Sequence, residues 1–60
     1  MKRIESYKVM WFGGHTPIRR ETEKGAMALA DKLRKQGKHG VVEAVWISDN
    51  GIAFEEIRKF

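Results

Sequence analysis

The chain is 60 residues long and contains no cysteine, which excludes disulfide bonds and thiolate metal sites. A chain this short buries only about 60% of the surface that it exposes when unfolded, so its core is thin. No apolar run follows the N-terminal charges, and no stretch approaches the ~20 apolar residues of a membrane span. We therefore expect one full-length cytoplasmic domain over residues 1–60, with no membrane partner, supported by self-association or tight helix–sheet packing.

The charge is distributed unevenly along the chain, whose net charge is +4. Residues 1–40 carry ten Lys and Arg against four Asp and Glu, a net charge of +6. Residues 41–60 carry two against four, a net charge of −2. This division permits an acidic partner for the first two thirds of the chain but does not demand one.

The first predicted element is a strand over Ile4–Phe12. Tyr7, Val9 and Trp11 alternate there with the residues between them, and β-forming residues are dense. A glycine pair ends this strand. Residues 15–21 are predicted as a loop, because the proline at position 17 disfavours helix at the preceding threonine.

The second predicted element is a helix over residues 22–36. Thr22 is a suitable N-cap, and Gly37 suits the left-handed residue after the helix end. Cations are frequent in the last turns, where the helix dipole favours them. Four apolar residues at helical spacing form the face that packs on the sheet: Ala26, Leu29, Ala30 and Leu33.

A hairpin is predicted after the helix. Its first strand, Val41–Ser48, is almost continuously apolar, and Asn50-Gly51 favours a tight type I′ turn with positive φ angles. Its second strand is Gly51–Ile57, in which Ile57 falls out of the alternation. A bulge near residues 55–56, or a change of structure at the end of the strand, would account for that change.

The predicted fold class is α+β: a β-α-β-β domain with one helix on one face of a three-stranded sheet. Two strand orders are open. With the third strand in the middle the sheet is fully antiparallel, which is the order we favour. With the second strand in the middle, the first two strands would be parallel neighbours joined by a right-handed crossover.

The first two predicted strands are apolar on both sides, unlike a sheet with one wet face. A single helix covers one side, so we expect an exposed apolar patch on the other that binds a partner or a second copy. One alternative is that the helix covers this side and leaves Tyr7, Trp11 and Trp46 exposed; another is that a loop or Phe60 folds over it. The expected interface consists of Met10, Phe12, Val45, Ile47 and Ile57.

No catalytic or metal-binding pattern is present in the sequence. Ser6 and Ser48 lie in predicted strands with no histidine close to them in sequence, and no nucleophile-elbow motif occurs. His15 and His39 are too few for an all-histidine metal site, and their spacing suggests no shared ligand set. We therefore expect no catalytic residues, no metal, no cofactor and no small-molecule substrate: the protein is not an enzyme.

A nucleic-acid-binding surface is the alternative function, formed by the basic loop 13–21 and the helix region 22–38. Clusters of cations bind phosphate backbones, with an affinity that falls steeply as salt rises. The same helix region also carries acidic residues. Cations at the C-terminal end of a helix are also favoured by the helix dipole alone, without any ligand. The expected contact surface consists of Arg19, Arg20, Lys24, Lys32, Lys35 and Lys38.

In size and layout the chain resembles small phage-encoded proteins that bind and modulate a host enzyme. The resemblance is one of format, covers no motif and implies no residue-level role. The leading expectation is a non-enzymatic, homodimeric protein-binding module, regulatory or inhibitory, that uses the uncovered sheet face and the basic loop. Its partner would be another protein, a second copy of the chain, or both.

Overall fold

A computed structural model describes residues 1–14 and 16–60 as one antiparallel sheet with one helix. In the sheet the strands lie in the order β2-β1-β3-β4, and each neighbouring pair is antiparallel. No helix in this described part of the chain is long and apolar enough to cross a membrane. In chain order the elements are β1 (Arg3–Trp11), β2 (Ile18–Arg20), α1 (Glu23–Lys35), β3 (Gly40–Ser48) and β4 (Gly51–Lys59).

The sheet has four strands where the sequence predicted three, because Ile18–Arg20 forms the short edge strand β2 inside the predicted loop. β2 pairs with β1, placing Ile18 opposite Val9. It also reverses the chain before the helix, so β3 returns antiparallel to β1. The prediction of an antiparallel sheet is confirmed. The predicted third strand, which is β4 in the structure, does not lie in the middle, so that prediction is wrong. The predicted second strand, β3, pairs with both β1 and β4.

The helix has the ends that the sequence predicted. The Thr22 side chain accepts a hydrogen bond from the Gly25 backbone N–H at 3.0 Å, which satisfies one free donor of the first turn. At the other end Gly37 has a φ of 82° and donates to the Arg34 carbonyl, and Lys38 donates to the Leu33 carbonyl. These two bonds form a Schellman motif, which ends the helix and turns the chain towards β3.

The β3–β4 hairpin forms where predicted, but its turn is of another type. Ser48 pairs with Gly51, and neither of the two residues between them has the positive φ that a type I′ turn requires. Gly51 instead takes the left-handed position after the turn, with φ 122°. The predicted bulge is confirmed: the register shifts between Val42 and Glu43, leaving Ile57 as the extra residue of β4.

The core lies between α1 and one side of the sheet, where Ala26 and Ala30 meet Val9 and Val42. The two alanines are fully buried, and their small side chains let the helix backbone approach the sheet closely. The largest fully buried side chains among the described residues are the two valines, so the core is as thin as the chain length implies. Larger apolar residues surround this centre: Tyr7, Trp11, Leu29, Ile57 and Phe60.

Gly40 joins three parts of the chain at one end of the sheet. Its backbone N–H donates to the Phe60 carbonyl at 2.8 Å, and the Phe60 N–H donates back at 2.9 Å. On its other side Gly40 lies opposite Trp11. A Cβ atom at this position would overlap the Met10 carbonyl oxygen and the Trp11 backbone. Only glycine therefore allows β1 and β3 to approach this closely.

We predict that Gly40→Ala lowers the free energy of unfolding by about 2–3 kcal/mol, because the methyl group forces β1 away from β3. The measurement is urea denaturation followed by circular dichroism. The control is Gly37→Ala, where the added Cβ meets nothing within 4 Å and only the positive φ is unfavourable, costing about 1 kcal/mol. Equal losses in the two variants would show that the close approach at Gly40 is not what constrains this position.

Candidate functional site

The helix covers one side of the sheet, and we call the other side the open face. Val9, Val42 and Ala44 point towards the helix and are buried. Because side chains alternate along a strand, the neighbouring residues Lys8, Glu43 and Val45 lie on the open face. The open face therefore combines residues from all four strands, and no second layer of secondary structure covers it in the described part of the chain.

One end of the open face carries an apolar cluster, which we call the hairpin patch: Val45, Ile47, Ile52 and Phe54. The hairpin register places Val45 opposite Phe54 and Ile47 opposite Ile52. Ile52 is 66% exposed and Phe54 is 56% exposed, although both are large apolar side chains. The patch lies where β4 forms the edge of the sheet, so its side is open to solvent, while the Lys8 ammonium lies over the Phe54 ring.

A row of four charged residues crosses the middle of the open face, and we call it the charged row: Arg19, Lys8, Glu43 and Glu56. Lys8 pairs with Arg19 on one side and with Glu43 on the other, and Glu43 pairs with Glu56. The strand order therefore produces two neighbouring cations followed by two neighbouring anions. This is the order of the four residues across the strands. The Lys8 side chain leans towards Phe54 on β4, and Glu5 on β1 and Lys59 on β4 add one opposite charge to each side.

The two outer residues of the charged row have ion pairs within the chain. The Arg19 guanidinium contacts the Glu5 carboxylate at 2.9 Å and the Glu21 carboxylate at 3.1 Å. The Glu56 carboxylate lies 3.8 Å from the Lys59 ammonium. All these groups are at least partly exposed, so the pairs add little stability. They do, however, partly neutralise both ends of the row.

The two inner residues of the charged row have no ion pair with any residue that the structure describes. The Lys8 ammonium lies over the Phe54 ring, 4.4 Å from its centroid. Glu43 stands beside Lys8 in the register, and both residues are half-buried. Among the described residues, the centre of the open face thus holds one cation and one anion whose charges are not paired within 4 Å.

The other end of the open face is a shallow apolar hollow of about 240 Å³. Met10 and Val41 form its floor as a cross-strand pair, and Phe12 stands beside it with 85% of its surface exposed. Trp11 and Gly40 complete its wall. The charged row therefore lies between two apolar regions, this hollow and the hairpin patch.

The structure places four of the five predicted interface residues at the open face but divides them between its two ends. Met10 and Phe12 border the hollow, whereas Val45 and Ile47 belong to the hairpin patch. Ile57 lies elsewhere, because it follows Glu56, which is on the open face, and therefore points to the helix side, where it packs against the core. The five predicted residues therefore do not form one continuous patch.

The alternative exposed set of aromatic residues is largely covered. Tyr7 and Trp11 pack against the core beneath the helix. Trp46 lies on the same side beyond the helix, where its indole N–H donates to Glu55 at 3.1 Å and Lys2 lies over its ring. Phe60 also packs on the helix side, so it does not fold over the open face.

Sequence reasoning missed Ile52 and Phe54, the most exposed members of the hairpin patch. A signal for them was present: both share one side of the last strand, and a two-residue turn would bring that side level with Val45 and Ile47. It also missed the charged row, whose members belong to four strands. That row becomes visible only when the strand order is known.

The predicted basic surface separates into two parts. Arg19 lies on the open face and is paired with two glutamates, whereas the other five cations lie on or beside the helix. Lys24, Lys32 and Lys35 are exposed and share one side of α1, which we call the helix stripe. Arg20 extends it at the start of the helix, where its side chain lies near Gly25, and Lys38 comes after the helix end.

The described residues offer no metal-binding group of three or more His, Cys, Asp and Glu side chains. The Ser6 hydroxyl donates to the neighbouring Glu5 carboxylate at 3.0 Å, and the Ser48 hydroxyl takes part in the hairpin turn. His15, which belongs to the predicted basic loop 13–21, lies outside the described residues.

Two surfaces of the molecule thus combine chemistry with exposure: the open face, apolar at both ends and charged in the middle, and the basic helix stripe. In comparisons with known proteins, the chain matches no family model, no curated protein and no solved structure. These two surfaces are therefore the observations from which a function can be inferred.

Proposed function

We propose that the protein is a non-enzymatic, regulatory or inhibitory binding module whose open face contacts another protein or a second copy of the chain. The observation that carries this proposal is the exposure of Ile52 and Phe54 beside Val45 and Ile47 on an uncovered sheet face. An antiparallel sheet with one solvated side normally carries polar residues there. Clustered apolar residues on such a side mark an interaction site.

The energetics of a small domain favour the same use. Burying one large apolar side chain completely contributes about 1.5–3 kcal/mol relative to leaving it exposed. In the described part of the chain no fully buried side chain is larger than valine, so the stability margin of the core is small. Contact through the hairpin patch would bury further large apolar side chains, Ile52 and Phe54 among them. Such binding would stabilise the folded chain by mass action.

We predict that Ile52→Asp weakens association through the open face by about tenfold or more, because a carboxylate would lose its water at the apolar contact. The measurement is the mass in solution by light scattering behind a sizing column, over a concentration series. Because Ile52 is 66% exposed, the fold should tolerate this change.

The matched control is Ala53→Asp, which adds the same charge to the neighbouring position of β4 on the helix side of the sheet. It should leave association unchanged, and circular dichroism should show both variants folded. If both variants associate as the unchanged chain does, or if both lose association equally, the open face is not the interface.

Nucleic-acid binding through the helix stripe is the second candidate function. The observation that favours it is that Lys24, Lys32 and Lys35 form no ion pair with any described carboxylate. Of the helix-side carboxylates, Asp31 is bound by Arg58 at 2.7 Å. The stripe spans about 16 Å at 1.5 Å per residue, which matches the axial rise of about five phosphates along one strand of B-DNA.

The aromatic residues do not extend this second function to base stacking. Proteins that bind single strands present aromatic rings on an open surface beside a basic groove. Here Tyr7 and Trp11 pack beneath the helix, and Trp46 is bound to Glu55. The exposed rings of Phe12 and Phe54 lie on the open face, on the other side of the sheet from the helix stripe. The helix stripe therefore supports contact with a phosphate backbone and no reading of bases, which is why we rank this function below protein binding.

We predict for this candidate that replacing Lys24, Lys32 and Lys35 together by Gln lowers the slope of log affinity against log salt by about 2–3 on duplex DNA. The measurement is fluorescence anisotropy over a salt series. The control replaces Lys2, Arg3 and Lys59 by Gln, an equal change in net charge away from the helix. Equal slopes for the two triple variants would rule out the helix stripe as a specific phosphate-binding surface.

A further inference from the structure

We propose that the occupant of the open face is a second copy of the chain. The two copies are related by a twofold axis that runs parallel to the strands, above the line between β1 and β3. In this arrangement Lys8 of each subunit pairs with Glu43 of the partner subunit. The inference rests on the proposed function of the open face and adds the identity and the geometry of the partner. It is carried by the order of charges in the charged row.

The charged row is complementary to itself under this rotation. Across the sheet it runs from Arg19 and Lys8, on β2 and β1, to Glu43 and Glu56, on β3 and β4. A half-turn about an axis parallel to the strands exchanges left and right and keeps the level along the strands. Arg19 and Lys8 of one subunit therefore come level with Glu56 and Glu43 of the partner subunit, and each pair forms twice, as in any twofold interface. For this pairing the Lys8 side chain turns away from the Phe54 ring of its own subunit.

The other face-to-face twofold arrangement is unfavourable for the same reason. In this second arrangement the axis runs across the strands, along the charged row. The half-turn then places each strand over the same strand of the partner. Lys8 would then face Lys8 of the partner subunit, and Glu43 would face Glu43 of the partner subunit. Like charges brought together at an interface oppose association, so the charged row selects one arrangement.

The inner pair is the one that dimerisation completes. Arg19 and Glu56 already have ion pairs within the chain. Lys8 and Glu43 are half-buried, and neither forms an ion pair among the described residues. Covering them with an uncharged apolar surface would remove both charges from water with no ion pair formed, which is costly. A second copy supplies the opposite charge at each of these two positions.

The apolar regions on either side of the row obey the same symmetry. Because the rotation keeps the level along the strands and exchanges β1 with β3, Met10 faces Val41 of the partner subunit and Val45 faces Ser6 of the partner subunit. Ile52 and Phe54, on β4, come over the side of the partner on which β2 lies. Two antiparallel sheets packed in this way form an aligned sandwich, with strand directions within about 30° and a separation of about 10 Å. The helices then lie on its two outer sides.

The size of the face sets the expected strength. With the axis between β1 and β3, these two nine-residue strands overlap fully and β4 overlaps only the three-residue β2, which gives on the order of 400 Å² per copy. This area lies at the weak end of specific protein interfaces. We therefore expect a dimer that dissociates on dilution, whose existence depends on correct pairing at the charged row.

The experiment uses two charge-reversal variants, Lys8→Glu and Glu43→Lys, first separately and then mixed. Alone, each variant places like charges opposite each other at both inner contacts, so its self-association should fall by about tenfold or more. Mixed, the new Glu at position 8 meets the new Lys at position 43 at one contact. At the other contact the native Glu43 of the first variant meets the native Lys8 of the second, so a heterodimer should form with affinity near that of the unchanged chain.

The mixing step separates the interface from the fold. Each reversal also places like charges on directly paired residues of β1 and β3, so each variant loses some stability in the monomer. Mixing cannot repair that loss, whereas it restores both contacts between subunits. If a reversal prevents folding, Lys8→Gln and Glu43→Gln replace it, and their double-mutant cycle should show coupling in the dimerisation constant.

The matched control is the pair Lys2→Glu and Glu55→Lys, which exchanges charges on the helix side of the sheet. Mixing these two should not raise association above that of either alone. The readout in every case is the mass by light scattering over a concentration series, with one variant carrying a larger tag so that the heterodimer is resolved by size.

The outcomes distinguish the inference from the function on which it rests. Recovery of a dimer on mixing supports the twofold arrangement. If both reversals dimerise as well as the unchanged chain while Ile52→Asp does not, the open face is an interface but the arrangement is wrong. If neither set of changes affects the dimer, the chains associate elsewhere, for example along the free edge of β4. An unchanged chain that stays monomeric at every concentration overturns the second copy as occupant.

Discussion

The contact of Ala26 and Ala30 with Val9 and Val42 determines how the other parts of the fold are arranged. Two alanines bring a single helix close to the sheet, and one helix covers one side. The covered side then receives the aromatic residues Tyr7 and Trp11, and the other side is left to solvent or to a partner. The described residues include no further element that could shield this second side.

Charge pairing shapes what the two remaining surfaces do. Arg58 reaches from β4 to Asp31 on the helix, and Arg19 is held by two glutamates at the edge of the sheet. These pairs are partly exposed and contribute little to stability. Their consequence is positional, because they leave the excess positive charge on the helix stripe and a balanced row of opposite charges on the open face. The proposed phosphate contact rests on the helix stripe, and the proposed second copy rests on the open face.

Much of the fold could be predicted from residues that act locally. Thr22 and Gly37 determine the ends of the helix through their own backbone preferences, and the period of the apolar residues determines which side of it is buried. The edge strand Ile18–Arg20 could not be predicted, because three residues are too few to show alternation. Its absence from the prediction is also the reason for the wrong strand order, since β2 is what reverses the chain before the helix.

The candidate site was only partly predictable because it depends on pairings between distant segments. Val45 and Ile47 were found from their own strand, whereas the exposure of Phe54 results from the hairpin register and from its position on an edge strand. Ile57 was assigned to the wrong side because the bulge comes only after Glu56, so alternation from Phe54 and Glu56 still points Ile57 to the helix side. The row of Lys8 and Glu43 requires the order of all four strands, which is a property of the tertiary fold.

An isotope-filtered nuclear Overhauser experiment on an equal mixture of labelled and unlabelled chains tests most directly whether the uncovered side of the sheet is the interface. It detects contacts between copies and assigns them to individual side chains. We expect contacts between copies that involve Val45, Ile52 and Phe54 together with Met10, and none that involve Ala28 on the outer side of the helix. Contacts that arise from the helix, or none at a concentration where the mass is that of a dimer, would contradict this assignment of the interface.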